Sequence, residues 1–142
     1  MKIRVATIGD CDAMHGIRMA VRENVLSNPG SITIDDYREM IESRGRGWIC
    51  EIGDEPVGFA IGDLRECNIW ALFVRPGFEG RGIGRGLHDV MLEWMFANGA
   101  RRVWLSTDAG TRAERLYVRA GWQYAGLTNQ GEARYEMVKA GC

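Results

Sequence analysis

A glycine-rich segment joins an apolar run to an amphipathic one, and it reads Phe73-Val74-Arg75-Pro76-Gly77-Phe78-Glu79-Gly80-Arg81-Gly82-Ile83-Gly84-Arg85-Gly86. Five of its last ten residues are glycines. Glycine lets several backbone N–H groups converge on a bulky ligand, and a helix that starts there adds unpaired amides and the positive end of its dipole. Arg81 and Arg85 supply positive charge. The segment is therefore typical of a pyrophosphate-binding loop, with the amides from Gly80 to Arg85 as donors.

The register of the glycines argues against two other phosphate-binding loops. A P-loop requires Lys followed by Ser or Thr after its last glycine, whereas the residues after Gly82 and Gly84 are Ile and Arg. The Rossmann fingerprint requires a glycine or alanine three residues after its second glycine, where Arg85 and Leu87 stand. The alternative that remains is a flexible turn without a ligand.

On both sides of this loop, the spacing of apolar residues predicts regular structure. Downstream, apolar residues recur at i, i+3, i+4, i+7 and i+8, which predicts a helix that ends at Asn98-Gly99. These residues are Leu87, Val90, Met91, Trp94 and Met95. Upstream, strands at residues 48–52, 57–63 and 68–74 are predicted to form an antiparallel meander, with a turn at residues 53–56.

The N-terminal third predicts one strand and two helices. Residues 3–8 alternate apolar and polar side chains as a strand does, and Asp10 is placed to cap a helix. The apolar face of that helix carries Ala13, Met14, Ile17 and Val21. A loop follows at residues 27–30. Thr33 and Asp36 then resemble a capping box that starts a second helix, which ends at residues 44–47.

The C-terminal part predicts a strand, a short helix and a final hairpin. The strand covers residues 102–107, the helix 112–120, and the hairpin strands 122–126 and 132–137. The order is then β-α-α-β-β-β-α-β-α-β-β, without a linker or an internal repeat. This order favours one α/β domain, residues 1–142, built around one sheet.

The composition is that of an ordinary globular domain. The chain has 142 residues, of which 46% are apolar, and a net charge of -1, so neither nucleic acid nor a membrane is expected as a partner. Asp10 and Asp12 interrupt the apolar run that a signal peptide would require. No C-x-x-C pair occurs, which favours a reduced, cytoplasmic setting without a metal site. The four cysteines are Cys11, Cys50, Cys67 and Cys142.

The glycine-rich loop resembles the acyl-CoA-binding motif of the GNAT superfamily of N-acetyltransferases, Gln/Arg-x-x-Gly-x-Gly/Ala, at Glu79-Gly80-Arg81-Gly82-Ile83-Gly84. Glu79 stands where the family has Gln or Arg. A second family element, Ala-x-x-Leu-Tyr-x-x-x-Gly-aromatic, is matched by Ala113-Glu114-Arg115-Leu116-Tyr117-Val118-Arg119-Ala120-Gly121-Trp122, although Gly110 stands where an asparagine is frequent. Two motifs at this separation are more specific than either alone, and the similarity extends over residues 48–137.

The resemblance implies a GNAT-type α/β domain with a mixed, mostly antiparallel central sheet, helices on both faces and a splayed parallel strand pair that forms an acyl-CoA cleft. It implies acetyl-CoA as cosubstrate and no metal. The pantetheine arm of the cofactor would pair with the strand before the loop, opposite Ser106 and Thr107. The cofactor-binding residues implied are Leu72, Phe73, Val74, Gly80, Arg81, Gly82, Ile83, Gly84, Arg85 and Tyr117.

Acetyl transfer from a thioester to an amine requires a deprotonated nucleophile, an oxyanion donor and a proton for the leaving thiolate. The resemblance places Tyr117 beside the cofactor sulfur as general acid, and a phenol of pKa about 10 suits a thiolate whose acid has a pKa of about 8.5. The alternative is a packed tyrosine whose hydroxyl only forms a structural hydrogen bond. The resemblance places the oxyanion donor at the backbone N–H of Val74 or Phe73. For the general base, Glu66, Asp63 and a water relay remain open.

Three further side chains are candidates for contacts in a site. His15 and His88 each lie on or near the polar face of a predicted helix, so both are predicted to be solvated. Arg112, before the tyrosine, either meets a cofactor phosphate or forms a surface ion pair.

The function that these residues favour is an N-acetyltransferase acting on a primary amine of a small molecule. A non-catalytic acyl-CoA-binding or sensing module is one alternative, favoured by Glu79, Gly110 and the lack of a carboxylate on the strand before the loop. A peptide or protein N-acetyltransferase is the other. Residues 20–46 are expected to form much of the acceptor wall, and they mix both signs of charge. The edge of the terminal hairpin is compatible with a homodimer.

Overall fold

The computed structural model describes residues 1–26 and 28–141, so Ser27 of the predicted loop and Cys142 lie outside the described residues. The strands are β1 Lys2–Val5, β2 Gly45–Ile52, β3 Glu55–Asp63, β4 Asn68–Val74, β5 Arg102–Thr107, β6 Gln123–Leu127 and β7 Ala133–Val138. The helices are α1 Cys11–Ala20, α2 Ile34–Glu39, α3 Ile83–Ala97 and α4 Arg112–Arg119. Short helical turns cover Ile8–Asp10, Pro29–Ser31 and Met40–Arg44.

Seven strands form one sheet in the order β1-β2-β3-β4-β5-β7-β6. Strands β2, β3 and β4 form the predicted antiparallel meander, and β7 pairs antiparallel with both β5 and β6. Within the described residues, β4 and β5 are the one parallel pair. The predicted order of elements and the mixed, mostly antiparallel sheet are confirmed.

Helices cover both faces of this sheet, as predicted, and each face has its own apolar core. On one face α3 and α4 pack against the sheet, and α3 buries Ile83, Leu87, Met91 and Met95 there. On the other face α1 and α2 bury Met14, Ile17 and Tyr37. Strand β4 contributes to both cores: Leu72 and Val74 pack on the α3 side, whereas Trp70 and Phe73 pack on the α1 side. This division gives the two sides of β4 different surroundings.

Strand β1 ends at Val5, three residues earlier than predicted, because Asp10 folds the chain back. The Asp10 carboxylate accepts a hydrogen bond from the Thr7 backbone N–H at 2.8 Å and forms an ion pair with Arg4 at 2.8 Å. Asp10 is the N-cap residue of α1, as predicted, but its carboxylate forms no hydrogen bond to that helix because it is used by Thr7 and Arg4. The predicted Thr33–Asp36 capping box is confirmed, since the Thr33 N–H donates to the Asp36 carboxylate at 2.7 Å.

Strand β2 begins at Gly45, three residues earlier than predicted. Gly45 pairs with Asp63 of β3, and a Cβ atom at this position would collide with the backbone carbonyl of Gly62. The glycine that was predicted to end the second helix is therefore needed for strand pairing. The longest helix, α3, has 15 residues, and no helix within the described ranges is both long and apolar enough to cross a bilayer.

Candidate functional site

A cleft opens where β4 and β5 separate. The strands are joined near the start of β4, where the Trp104 N–H donates to the Cys67 carbonyl at 2.9 Å and the Asn68 side chain donates to the Trp104 carbonyl at 3.2 Å. Asn68 and Trp104 are the one paired position between these strands in the described chain. Beyond this pair the strands diverge, and a cleft of about 530 Å³ lies at the carboxyl end of β4, against the glycine-rich loop and α4. The predicted splayed parallel pair is therefore present.

The hydrogen bonds of β4 show which of its backbone groups face this cleft. The Arg75 N–H donates to the Val57 carbonyl of the preceding strand at 2.7 Å. Because backbone groups alternate along a strand, Phe73 also directs its N–H and carbonyl toward β3. Leu72 and Val74 then direct theirs away from β3, into the gap before β5. Of the two candidates for an oxyanion donor, only Val74 has an N–H that points into the cleft.

The glycine-rich loop leaves a row of backbone amides without partners. Gly80 and Gly82 have positive φ angles of 77° and 82°, which only glycine adopts without strain, and Gly82 is the N-cap of α3. The first N–H that is used inside the helix is that of Gly86, which donates to the Gly82 carbonyl at 3.0 Å. Among the described residues, the N–H groups from Gly80 to Arg85 have no protein acceptor. These amides are free to bind an anion at the helix N-terminus.

Glu79, the residue that departs from the family motif, stabilises the entrance of the loop. Its carboxylate accepts a hydrogen bond from the Gly77 N–H at 2.7 Å. Hydrogen bonds from its own N–H and that of Gly77 lower the pKa of Glu79. The side chain is therefore bound to the loop itself, and the amides that follow it stay unpaired.

Gly84 lets α4 approach the loop closely. A Cβ atom at Gly84 would lie 3.2 Å from Cδ1 of Leu116 and 3.6 Å from Cγ2 of Val74. Leu116, Val74 and Gly84 all line the cleft. The absence of a side chain at Gly84 thus brings the loop, β4 and α4 together around one space.

The cleft has an excess of positive charge. Five arginines line it against two glutamates. The arginines are Arg22, Arg85, Arg112, Arg115 and Arg119, and the glutamates are Glu23 and Glu79. Arg85 forms an ion pair with Asp89 at 3.0 Å, and Arg115 donates to the Gly110 carbonyl at 3.2 Å. A lining of this kind suits a ligand that carries several phosphate charges.

Most of the predicted cofactor-binding residues line the cleft. They are Leu72, Phe73, Val74, Gly80, Gly82, Ile83, Gly84 and Arg85. Arg81 is not among the lining residues, because its guanidinium lies over the Phe78 ring, 5.0 Å from the centroid. The structure thus brings together two separate parts of the sequence, the end of β4 and the start of α3, around one space.

Tyr117 lies in the core next to the cleft lining. It is 4% exposed, and its ring packs against Trp122 and His88 with centroid distances of 5.7 and 6.1 Å. Burial raises the pKa of Tyr117 above the usual value for a phenol. Ala113, one turn earlier on the same face of α4, lines the cleft. Tyr117 itself is not a lining residue.

The predicted candidates for the general base lie at the closed end of the strand pair. Glu66 is exposed, its N–H donates to the Asp63 carboxylate at 3.2 Å, and its carbonyl accepts from the Trp104 indole at 3.0 Å. Asp63 is 3% exposed and forms an ion pair with Arg44 at 2.8 Å. Neither carboxylate lines the cleft, since both precede the position where β4 and β5 part.

His88 is buried, so its predicted solvation is wrong. The indole N–H of Trp122 donates to Nε2 of His88 at 2.9 Å, which leaves the proton on Nδ1 to bind Asp89 at 2.8 Å. Burial lowers the pKa of His88, and the hydrogen bond to Asp89 offsets only part of this effect. His15 is half-buried, and its Nδ1 is 2.9 Å from the Tyr37 hydroxyl.

The segment after α1 was not predicted to contact β5 or α4. The Asn24 side-chain oxygen accepts a hydrogen bond from the Asp108 N–H at 2.7 Å and one from the Thr107 hydroxyl at 3.3 Å. The Glu23 carboxylate accepts from the Arg112 N–H at 3.0 Å, at the start of α4. Both residues line the cleft. Their partners are more than 80 residues away in sequence, so no local pattern indicates these contacts.

Comparison with known proteins agrees with this arrangement. The sequence profile of the Acetyltransferase (GNAT) family matches residues 13–122. An uncharacterized N-acetyltransferase of Mycobacterium bovis is 34% identical over 114 residues, which cover 74% of this chain and 69% of that protein. Mycothiol acetyltransferase of Beutenbergia cavernae is 29% identical over 135 residues, which cover 84% of this chain and 44% of that protein. YncA of Salmonella typhimurium, solved with its cofactor acetyl-CoA, shares the fold with a TM-score of 0.78 at 17% identity, over 97% of this chain and 93% of that chain.

The profile match spans more than half of the chain and includes the glycine-rich loop as well as the second motif at residues 113–122. The fold, with its single splayed parallel strand pair in the described residues, agrees with that assignment. This chain is a member of the Acetyltransferase (GNAT) family.

Proposed function

We propose that this chain is an acetyl-CoA-dependent N-acetyltransferase that acetylates a primary amine of a small molecule. The observation that carries the proposal is the row of unpaired amides from Gly80 to Arg85, which borders the same cleft as the inward-facing N–H of Val74. Family membership supports acetyl-CoA as the cosubstrate. The relative named mycothiol acetyltransferase supports a small-molecule acceptor.

In this proposal the loop amides bind the pyrophosphate of acetyl-CoA. They combine unpaired donors with the positive end of the α3 dipole, and neither depends on the side chain at position 79. The pantetheine arm then lies along β4, where Leu72 and Val74 have backbone groups available for pairing. This placement directs the thioester into the gap between β4 and β5.

The Val74 N–H is the proposed oxyanion donor. The amine nitrogen attacks the thioester carbonyl carbon, and negative charge develops on the carbonyl oxygen. A fixed backbone donor stabilises that charge without reorganisation, since β4 is held to β3 by the Arg75 hydrogen bond next to it. The C–S bond then breaks, and the amide product forms.

Tyr117 is the proposed general acid, which gives its proton to the departing thiolate and regains one from solvent. Because burial raises its pKa, the hydroxyl is protonated throughout the neutral range, as a proton donor must be. The proton that the amine loses goes to a water relay, because the two carboxylates in the cleft lining already accept backbone hydrogen bonds. These carboxylates are Glu23 and Glu79.

A non-catalytic acyl-CoA-binding module is the second candidate function. The observation that favours it is the position of Tyr117, whose side chain is packed between His88 and Trp122 and does not line the cleft. In such a module the cleft would bind the cofactor without a proton donor within reach of the sulfur.

Two measurements on the purified chain test the proposal. Calorimetry with acetyl-CoA measures binding, and a thiol reagent measures CoA release in the presence of a broad panel of primary amines. Binding together with amine-dependent CoA release supports the enzyme. Binding without release for any amine supports the module, and the absence of binding contradicts both.

A further inference from the structure

Arg18, in the last turn of α1, has a guanidinium that lacks polar partners. Its Nε and Nη1 atoms are buried, and neither forms a hydrogen bond in the described part of the chain. The group lies over two aromatic rings, with Cζ 4.6 Å from the centroid of Phe73 and 5.8 Å from that of Trp70. Burial lowers the pKa of Arg18. Within the described residues, no other buried side-chain nitrogen or oxygen lacks a hydrogen-bond partner.

A cation whose nitrogens are buried without an acceptor is unfavourable, and Arg18, although only partly buried as a residue, has two such nitrogens. A guanidinium carries five N–H donors, and each one that is removed from water without an acceptor costs stability. The aromatic rings compensate for part of the charge but accept no strong hydrogen bond. Tyr37, which interacts electrostatically with Arg18, is a neutral phenol, since burial raises its pKa to about 12. A chain selected for stability alone would have an apolar residue at position 18.

The position of Arg18 relative to the cleft suggests why the charge is present. The loop amides lie at the start of α3, on one side of the sheet, whereas Phe73, the ring that Arg18 covers, packs against the core on the opposite side. Phe73 lines the cleft, as does Val21, which follows α1 directly. A cofactor that enters along α3 therefore leaves the α1 side of β4 for the acceptor. Arg18, whose buried nitrogens have no acceptor, lies on that side over the ring of Phe73, although it is not itself a lining residue of the cleft.

We propose that Arg18 binds a carboxylate of the acceptor, so that the substrate is a small amino acid or a related amine whose carboxylate lies near the reacting nitrogen. This inference rests on the proposed acetyltransferase function and specifies its substrate class. Charge-assisted hydrogen bonds from a buried guanidinium are strong, and an incoming carboxylate satisfies the donors that the protein leaves unpaired. An amine without a carboxylate leaves them unpaired, and the site rejects it.

Matched substrate pairs test this inference. Each amino acid is compared with the amine that lacks its α-carboxylate: alanine with ethylamine, phenylalanine with phenethylamine, and arginine with agmatine. CoA release gives kcat/KM for each member of a pair, measured with the wild type, Arg18→Met, Arg18→Lys and Arg102→Met. Arg102 is the control, because it is an exposed arginine at the start of β5 that pairs with Glu136 and does not line the cleft. Calorimetry with acetyl-CoA and a thermal melt accompany each variant.

For the wild type we expect kcat/KM to be about tenfold to hundredfold higher for the amino acid in at least one pair. Arg18→Met abolishes this preference, Arg18→Lys retains part of it, and Arg102→Met retains all of it. Acetyl-CoA affinity is unchanged in every variant. Because Arg18→Met removes an unpaired buried charge, its Tm stays the same or rises, whereas a purely structural arginine would lower it.

The proposal is overturned if wild type and Arg18→Met show the same ratio within every pair, or if only amines without a carboxylate are acetylated. A variant that loses folding or acetyl-CoA binding also contradicts it, because Arg18 then acts structurally. Failure of the acetyltransferase function itself gives a different result, namely acetyl-CoA binding without CoA release for any amine, with or without a carboxylate.

Discussion

The indole N–H of Trp122 donates a hydrogen bond to Nε2 of His88, and the two atoms are 2.9 Å apart in the core behind Tyr117. Trp122 offers only a donor, so His88 must present an unprotonated Nε2 and carry its proton on Nδ1, toward Asp89. The folded state therefore requires a neutral imidazole. This requirement links the stability of the domain to pH.

We expect the free energy of unfolding to fall as the pH decreases below about 6.5. The folded-state pKa of His88 is lowered, so the unfolded chain binds an extra proton between its own pKa, about 6.5, and the folded value. The contribution of neutral His88 to the free energy of unfolding is fully present above pH 6.5. At acid pH this free energy is lower by about 1.4 kcal/mol for each unit by which the folded and unfolded pKa values differ. Urea unfolding from pH 8 to pH 5 measures the slope. His88→Phe should flatten this slope between pH 5 and 7, and an unchanged slope in that variant would contradict the explanation.

Gly82→Ala should weaken acetyl-CoA binding. The φ angle of 82° at Gly82 costs a residue with a Cβ about 1–2 kcal/mol, so the loop relaxes and its amides no longer converge. Calorimetry should show a loss of affinity of about tenfold or more. Gly99→Ala is the matched control, because Gly99 has a φ of 109° at the other end of α3 and does not line the cleft. Gly99→Ala should lower Tm by about as much as Gly82→Ala does and leave the Kd for acetyl-CoA unchanged. Equal losses of affinity in both variants would mean that the loop amides do not form the acetyl-CoA site.

Tyr117→Phe should reduce kcat by about 10²-fold to 10⁴-fold with little change in acetyl-CoA affinity, since it removes a proton donor and keeps the ring. Stopped assays of CoA release give kcat, and calorimetry gives the acetyl-CoA affinity. Tyr124→Phe serves as the control, because Tyr124 is 59% exposed on β6, far from the loop in the sheet order. If Tyr117→Phe keeps full kcat, a different group protonates the thiolate.

Glu66→Gln tests a carboxylate that the sequence made a candidate for the general base. Because Glu66 is exposed and lies at the closed end of the strand pair, we expect kcat and the pH dependence of kcat/KM to stay within about twofold of the wild type. A fall of 10²-fold with loss of the acidic limb, where an essential base becomes protonated, would instead show that Glu66 acts as the base.

The parts of the fold that local patterns control agree with the sequence predictions. Strand β4, at residues 68–74, and strand β5, at 102–107, have the predicted bounds, because each is an apolar run bounded by turn residues. Helix α3 shows the predicted periodicity for the same reason. The unpaired amides at its start follow from glycines that adopt positive φ, a property of the residue type itself.

Predictions that depended on distant neighbours were less successful. His88 lies where its own helix is polar, but Trp122, 34 residues later, covers it and makes the position buried. The contact between Asn24 and Asp108 spans 84 residues, and the unpaired Arg18 can be recognised only when the rings of β4 are in place. Helical and strand periodicity give the face of a residue, but the partner on that face is decided by the tertiary structure.

The contact between Asn24 and Asp108 also has a consequence for biosynthesis. A chain that leaves the ribosome from its N-terminus exposes residue 24 long before residues 108–112 are available to hold it. The cleft wall formed by residues 21–24 is thus completed only after β5 and the start of α4 have emerged. Under the proposed function, acetyl-CoA is then a ligand of the finished domain and does not serve as a template for its folding.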